Sequence, residues 1–203
     1  MITKNSLSIV EKITQKVPSF HHHYHILYDI ANMIKKEKIT YLEIGAYAGA
    51  SAILMLHNEK VEKVFSIDIG NPIEKNTVLK NVSDFFKDDR YNYIVGDSSN
   101  NKVKESLLSK TKEVDILFID GSHEYNYVLK DFENYSPIVS KGGFIVFDDY
   151  NCNICTQVKP AVNEIVKKIN EKDFIIIGTL KNVCNAHPKE FEDGNCFIIQ
   201  KVV

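Results

Sequence analysis

Short apolar segments that recur along most of the chain constrain its fold more than any other feature. They are Ile39–Ile44, Val64–Ile67, Tyr91–Val95, Val114–Ile119, Phe144–Phe147, Phe174–Ile177 and Cys196–Val202. Nearly continuous apolar runs of this length are typical of strands buried on both faces. Segments with helical spacing separate most of them, and this alternation is typical of α/β proteins. We therefore predict a doubly wound, Rossmann-like α/β fold with a seven-stranded, mostly parallel sheet and helices on both faces.

The spacing of apolar residues also predicts the positions of the helices. Helices are expected near residues 50–58, 73–87, 100–109, 124–139 and 156–170. Residues 1–37 have helical patterns and should form a helical N-terminal extension to an α/β core at 38–203, within a single domain of 203 residues. The segment 178–195 has little helical pattern, so the last strand is expected to be antiparallel.

Charge and composition exclude several classes of protein. The 25 Lys and Arg residues nearly balance 27 Asp and Glu residues, which gives a formal net charge of -2 and argues against a nucleic-acid-binding protein. No apolar run approaches the roughly 18–20 residues that span a bilayer, so no membrane partner is expected. Four cysteines are too few for a disulfide scaffold in this chain. We therefore expect a cytoplasmic protein.

Carboxylates follow five of the predicted strands. They are Glu43, Asp68, Asp97, Asp120 and the pair Asp148 and Asp149. Capping of turns and helices explains some acids at such positions. The carboxyl ends of parallel strands nevertheless form the ligand-binding edge of such sheets, and five in a row predict a locally acidic cleft there.

The turn after the first strand contains two glycines, Gly45 and Gly49, and follows Glu43. The dinucleotide fingerprint G-x-G-x-x-G is absent, since Tyr47 occupies the position of its second glycine. Asp68 lies 25 residues after Glu43, close to the spacing of a carboxylate that binds a ribose diol. Asp97, with Ser98 beside it, is placed to bind an adenine amino group.

These motifs resemble those of class I S-adenosylmethionine-dependent methyltransferases. The run LEIGAYAGASA at 42–52 is similar to the catechol and caffeoyl-CoA type O-methyltransferases. The run IDGSHEY at 119–125, with Asp131 after it and GGFIVFDD at 142–149, resembles the macrocin-type sugar O-methyltransferases. The resemblance covers roughly residues 39–150.

The resemblance implies a set of site residues. Contacts to the methionyl part of S-adenosylmethionine are implied for Glu43, Gly45, Ala46, Tyr47, Gly49 and Ser51. The resemblance also implies that Asp68 binds the ribose, that Asp97 and Ser98 contact the adenine, and that Asp120 lies in the cofactor site. Relatives that need a metal use acids matching Asp120, Asp148 and Asp149, and three carboxylates with open water positions suit Mg²⁺.

The resemblance and the chemistry together suggest an O-methyltransferase that is assisted by a divalent cation. His123 lies three residues after Asp120, where catechol-type relatives have a lysine base, and histidine is the commonest general base. The catalytic residues are therefore predicted to be His123 and Asp120. The expected acceptor is a small hydroxylated molecule, such as a sugar, with no nucleic acid involved. Two alternatives are a nicotinamide-dependent oxidoreductase and a non-catalytic cofactor-binding module.

Several features outside these motifs have weaker interpretations. The tract at 21–25 holds four histidines and is read mainly as a solvated face or part of an acceptor-pocket lid rather than as a metal site. The four residues Cys152, Cys155, Cys184 and His187 have zinc-like spacing, although free thiols are favoured. The acceptor pocket is expected from 1–37 and 178–195, with candidate residues Tyr24, Tyr150, His187 and Phe191. The N-terminal helices could also form a homodimer face.

Overall fold

The computed structural model describes residues 4–19, 24–87, 89–179 and 196–203. Within them the strands are β1 (Ile39–Ile44), β2 (Val61–Asp68), β3 (Tyr91–Val95), β4 (Val114–Ile119), β5 (Val139–Phe147), β6 (Phe174–Thr179) and β7 (Phe197–Lys201). The α-helices are α1 (Lys4–Thr14), α2 (His25–Met33), α3 (Ala50–Leu56), α4 (Lys75–Ser83), α5 (Asn101–Leu108), α6 (Tyr125–Tyr135) and α7 (Val158–Lys168). A 3₁₀ turn at Ser136–Ile138 leads into β5.

The seven strands form one sheet in the order β3-β2-β1-β4-β5-β7-β6. Strands β1 to β5 pair in parallel, whereas β7 pairs antiparallel with both β5 and β6. This confirms the predicted Rossmann-like fold and its antiparallel last strand. The last strand lies inside the sheet, and β6 forms the edge. From β1 the strands β2 and β3 are added on one side of the sheet, and β4 and β5 are added on the other. The topological switch point therefore lies between β1 and β4, and open α/β sheets bind ligands at such points.

Helices cover both faces of the sheet. Neighbouring strand residues point to opposite sides, so each strand contributes to a core on each face. In β4, Phe118 packs with α1, α2 and α3 on one face, while Leu117 packs with α5, α6 and α7 on the other. All six residues of β4 are buried. The helices of the N-terminal extension contribute Ile13 and Leu27 to the first of these cores. The extension is therefore packed against the sheet.

Backbone hydrogen bonds continue past the strand ends and align the acids at one edge. The N–H of Asp120 donates to the carbonyl of Ile44, and the N–H of Asp148 donates to that of Ile119. The Gly45 N–H likewise donates to the carbonyl of Ile67. These bonds extend the parallel ladders by a residue, so the side chains that follow β1, β4 and β5 emerge next to one another.

The helices within the described ranges are short. The longest have 11 residues, and none is long and apolar enough to cross a membrane.

Candidate active site

A cavity of about 620 Å³ opens at the carboxyl edge of the sheet. The predicted site residues that line it are Gly45, Ala46, Tyr47, Ser51, Asp68, Asp97, Ser98, Asp120, His123 and Asp148. Glu43, Gly49 and Asp149 do not reach its wall. The structure thus brings most of the predicted residues together around one space and places three behind it.

Gly45 allows the first turn to pass against the end of β4. Its φ is +90°, and a Cβ there would lie 2.0 Å from the carbonyl oxygen of Asp120. Because that neighbour is backbone, no side-chain movement could relieve the overlap. A side chain at this position is therefore incompatible with the cavity wall.

Asp68 stabilises the same turn because its carboxylate accepts hydrogen bonds from the backbone. Its Oδ2 accepts hydrogen bonds from the N–H groups of Ala46 (2.8 Å) and Tyr47 (3.0 Å), and its Oδ1 accepts one from Gly70 (2.7 Å). An ionised carboxylate offers about four lone pairs, so Oδ1 retains one that can accept a ribose hydroxyl. Asp68 both shapes the turn and faces the cavity.

Glu43 lies behind the turn and is fully buried. Its carboxylate accepts hydrogen bonds from the hydroxyls of Tyr41 (2.9 Å), Ser51 (2.6 Å) and Ser66 (2.6 Å). Burial raises the pKa of Glu43 to about 7, although the Ser51, Ser66 and Tyr41 hydroxyls act in the opposite direction. Since Ser51 lines the cavity, Glu43 supports the wall from behind, and its direct contact with a cofactor stays a prediction.

The loop after β3 is held by α6. The carbonyl of Ser98 accepts hydrogen bonds from the Tyr135 hydroxyl (2.7 Å) and the Asn134 side-chain amide (3.3 Å). Asp131 of the same helix is fully buried, and burial raises its pKa to about 7, partly offset by Ser98. This packing fixes Asp97 and Ser98 against the cavity.

Asp120, Asp148 and Asp149 form a cluster in which one carboxylate oxygen from each residue lies within 4.8 Å of the others. Burial raises the pKa of Asp120 well above its usual range, and the charges of Asp148 and Asp149 raise it further. Hard divalent cations such as Mg²⁺ bind carboxylate oxygens and relieve this repulsion. The chemistry of the cluster therefore fits the cation that the sequence predicts.

His123 stands at the edge of this cluster. Its Nε2 lies 2.9 Å from Asp149 Oδ2, and its side chain is 46% exposed. The hydrogen bond to Asp149 raises the pKa of His123, against the opposing effect of burial. Asp149 itself has φ +55°, which is uncommon for a residue other than glycine, and its Oδ2 faces the imidazole. The ring is both held by a buried carboxylate and accessible to a molecule in the cavity.

A sequence family described as a methyltransferase domain matches residues 42–150, more than half of the chain. The chain belongs to the class I S-adenosylmethionine-dependent methyltransferases. A protein of Acanthamoeba polyphaga mimivirus described as uncharacterized protein R132 is 38% identical over 202 residues, covering 91% of this methyltransferase and 89% of that protein.

Solved structures share the fold at low sequence identity. An rRNA methylase from Streptococcus thermophilus has TM-score 0.66, 13% identity and coverage of 92% of this chain and 100% of its own. A putative caffeoyl-CoA O-methyltransferase from Staphylococcus aureus has TM-score 0.66 and 17% identity, and the match covers 98% of this chain and 92% of that chain. The methyltransferase MycE of the mycinamycin pathway, in complex with Mg and SAH, has TM-score 0.66 and 16% identity. This match covers 98% of this chain and 55% of that chain.

The methyltransferase site includes cysteines that sequence reasoning did not assign to it. The Cys155 Sγ lies 3.3 Å from His123 Nδ1 and 3.5 Å from Asp149 Oδ2, and Cys196 Sγ lies 3.4 Å from Asp148 Oδ1. The C-x₂-C spacing at 152–155 is the sequence signal for Cys155, but it indicates no contact with His123. Cys184 and His187, its partners in the less favoured zinc interpretation, lie outside the described residues.

Of the predicted acceptor-pocket residues that the structure describes, Tyr24 lines the cavity and Tyr150 does not. Pro18 and Ser19 of the N-terminal extension line it together with Tyr24. The Tyr150 hydroxyl instead donates to Asn163 Oδ1 at 2.7 Å. His187 and Phe191 lie outside the described residues, as do the histidines at 21–23, whereas His25 is buried in α2.

The raised pKa of Glu43 gives the methyltransferase a pH-dependent stability. The native state binds the Glu43 proton more tightly than the unfolded chain, whose value is near 4.5. The free energy of unfolding should therefore fall as the pH rises from about 4.5 to about 7. In urea unfolding across that pH range, the Glu43→Gln variant should lose roughly 3 kcal/mol of the wild-type decrease in the free energy of unfolding. The exposed control Glu62→Gln should keep the wild-type slope, and an unchanged slope in Glu43→Gln would contradict the interpretation.

Proposed function

We propose that this methyltransferase transfers a methyl group from S-adenosylmethionine to a hydroxyl of a small molecule, such as a sugar, with assistance from a divalent cation. The observation that supports this most is the His123–Asp149 pair beside the cluster of Asp120, Asp148 and Asp149. A base next to a set of hard-cation ligands is the combination that activation of a hydroxyl requires.

The first turn would hold the cofactor, which supplies an electrophilic methyl group when bound. Asp68 would accept a ribose hydroxyl at Oδ1, because its Oδ2 already binds the turn. Asp97 and Ser98 would adjoin the adenine, and the acidic wall around Asp120 would favour the positive charge of a sulfonium. Each of these residues lines the same cavity.

Asp120, Asp148 and Asp149 would hold Mg²⁺ or a similar cation, which lowers the pKa of a bound hydroxyl and fixes its position. Asp148 and Asp149 are buried, and burial also raises the pKa of Asp120. A cation that neutralises the cluster would return Asp120 to its ionised form. A bound cation would therefore stabilise the ionised carboxylates, which in turn would supply its ligands.

His123 would accept the proton of the acceptor hydroxyl. Nε2 faces Asp149 Oδ2 and Nδ1 faces the Cys155 thiol, so Nδ1 would take the proton once it separates from that thiol, and the buried carboxylate would stabilise the resulting imidazolium. Because Asp149 raises the pKa of His123, the neutral form that acts as base becomes more abundant as the pH rises through and above neutrality.

The size and charge of the cavity favour a small acceptor over RNA. Its volume of about 620 Å³ lies within the usual range of small-molecule sites. RNA binding depends on basic groups that neutralise phosphates, whereas this chain has a net charge of -2 and an acid-lined cavity. Membership of the methyltransferase family disfavours the nicotinamide-dependent alternative. A homodimer through the N-terminal helices and a cytoplasmic location stay predictions.

Cofactor binding is tested by thermal unfolding with S-adenosylhomocysteine. At about 100 times its Kd the ligand should raise the Tm by roughly 5–10 °C. The Asp68→Ala variant, compared with its own unliganded Tm, should lose this shift because it lacks the ribose acceptor. Asp84→Ala, which removes an exposed acid of an ion pair with Lys80, should keep it. Absence of a shift in the wild-type protein at millimolar ligand would contradict the cofactor site.

Cation dependence is tested by chelation. Excess EDTA should abolish methyl transfer from radiolabelled S-adenosylmethionine to a panel of sugars and catechols, and Mg²⁺ should restore it. The Asp148→Asn variant should need a higher Mg²⁺ concentration, because it loses one negative ligand. Transfer that continues undiminished in excess chelator would show that Asp148 and Asp149 do not hold a catalytic cation.

The role of His123 is tested by His123→Ala. We expect kcat to fall by roughly 10²–10⁴-fold, as for loss of a general base. The Tm shift with S-adenosylhomocysteine should persist, because the ring lies on the acceptor side of the cavity. A wild-type protein that binds cofactor but methylates no acceptor would support the non-catalytic alternative, and full activity in His123→Ala would exclude the ring as the base.

A further inference from the structure

A second cluster of metal-binding side chains lies beside the three aspartates and shares one of them. One donor atom from each of His123, Asp149 and Cys155 lies within 4.8 Å of the others. Cys155 and the neighbouring Cys152 are both buried. The cluster thus combines an imidazole, a carboxylate and a thiol.

Two distances in this cluster match those around a tetrahedral ion. Zinc ligands at about 2.0–2.3 Å place their donor atoms roughly 3.3–3.8 Å apart. Cys155 Sγ lies 3.3 Å from His123 Nδ1 and 3.5 Å from Asp149 Oδ2. A bound ion would replace the thiol proton, and the half-exposed imidazole would turn so that one nitrogen faces the ion, because Nε2 now faces Asp149 while Nδ1 faces Cys155.

The types of donor distinguish this cluster from the neighbouring one. Three carboxylates suit Mg²⁺, whereas thiolate and imidazole ligands select zinc and similar transition metals. We propose that His123, Asp149 and Cys155 form a separate site with three protein ligands for a thiophilic divalent ion such as Zn²⁺. The thiol that binds the ion releases its proton to solvent.

The shared carboxylate makes the two sites compete. Asp149 belongs to both clusters, so an ion held by Cys155 and His123 draws Asp149 from the set formed with Asp120 and Asp148. It also occupies the imidazole. Zinc should therefore inhibit methyl transfer, a consequence that rests on the proposed function, whereas zinc binding itself does not.

The binding test uses Co²⁺ as a spectroscopic substitute for Zn²⁺ on the metal-free, reduced protein. One equivalent of Co²⁺ should produce a thiolate-to-cobalt charge-transfer band in the near ultraviolet. One equivalent of Zn²⁺ should remove the band, and millimolar Mg²⁺ should leave it. Absence of the band, or its loss to Mg²⁺, would overturn the proposal.

Variants assign the band to these residues. Cys155→Ser should weaken Co²⁺ binding by roughly tenfold or more and remove most of the band. Cys196→Ser is the matched control, since that buried thiol contacts Asp148 rather than His123. Asp120→Asn alters only the carboxylate cluster and should keep the band. A band that survives in Cys155→Ser, or disappears equally in Cys196→Ser, would contradict the site.

X-ray absorption of the zinc-loaded wild-type protein keeps the test independent of how the variants fold. Sulfur in the first coordination shell is expected, and a shell of only oxygen and nitrogen would overturn the proposal. The two hypotheses fail separately. Mg²⁺-dependent transfer without a cobalt–thiolate band leaves the proposed function standing, and a band without transfer to any acceptor leaves the zinc site standing.

Discussion

Repulsion among carboxylates at one edge of the sheet is the constraint on which the site depends. Parallel strands deliver their following residues to the same edge, so Asp120, Asp148 and Asp149 meet with one oxygen from each within 4.8 Å of the others. Burial and these neighbouring charges together raise the pKa of Asp120 well above its usual range. Such a cluster is stable only when protonated or when a cation lies among the acids. An electropositive sulfonium and a divalent ion are the ligands that this edge favours most.

Asp68, Glu43 and Asp149 at this edge are each stabilised by different partners, and these partners indicate different roles for them. Three backbone N–H groups bind Asp68 and make it part of the turn. Three hydroxyls surround Glu43, which burial nevertheless leaves with a pKa of about 7. Asp149 contacts an imidazole and a thiol. Residues of one chemical type thus serve as turn anchor, buried support and shared ligand, according to the donors that reach them.

The sequence predicts the edge but not the direction of every side chain along it. Apolar runs locate β1 and β4 at their observed bounds, and the position of an acid after a strand is enough to place it near the cavity. Whether it faces the cavity depends on backbone angles that no periodicity records. Glu43 points behind the turn, and Asp149, which has a φ of +55°, faces His123. Cys155 lies in a loop without periodicity, so only the folded chain reveals its contact with that imidazole.

The choice of acceptor follows from which part of the chain closes the cavity. The matched methyltransferase segment ends at residue 150 and begins at 42, yet Pro18, Ser19 and Tyr24 line the same space as Asp120 and His123. They are positioned there because α1 and α2 pack on the sheet through Ile13 and Leu27. Part of the cavity wall therefore comes from residues that the matched segment does not include. Under the proposed function, changes in the extension should alter which acceptor fits beside His123 while leaving the cofactor half intact.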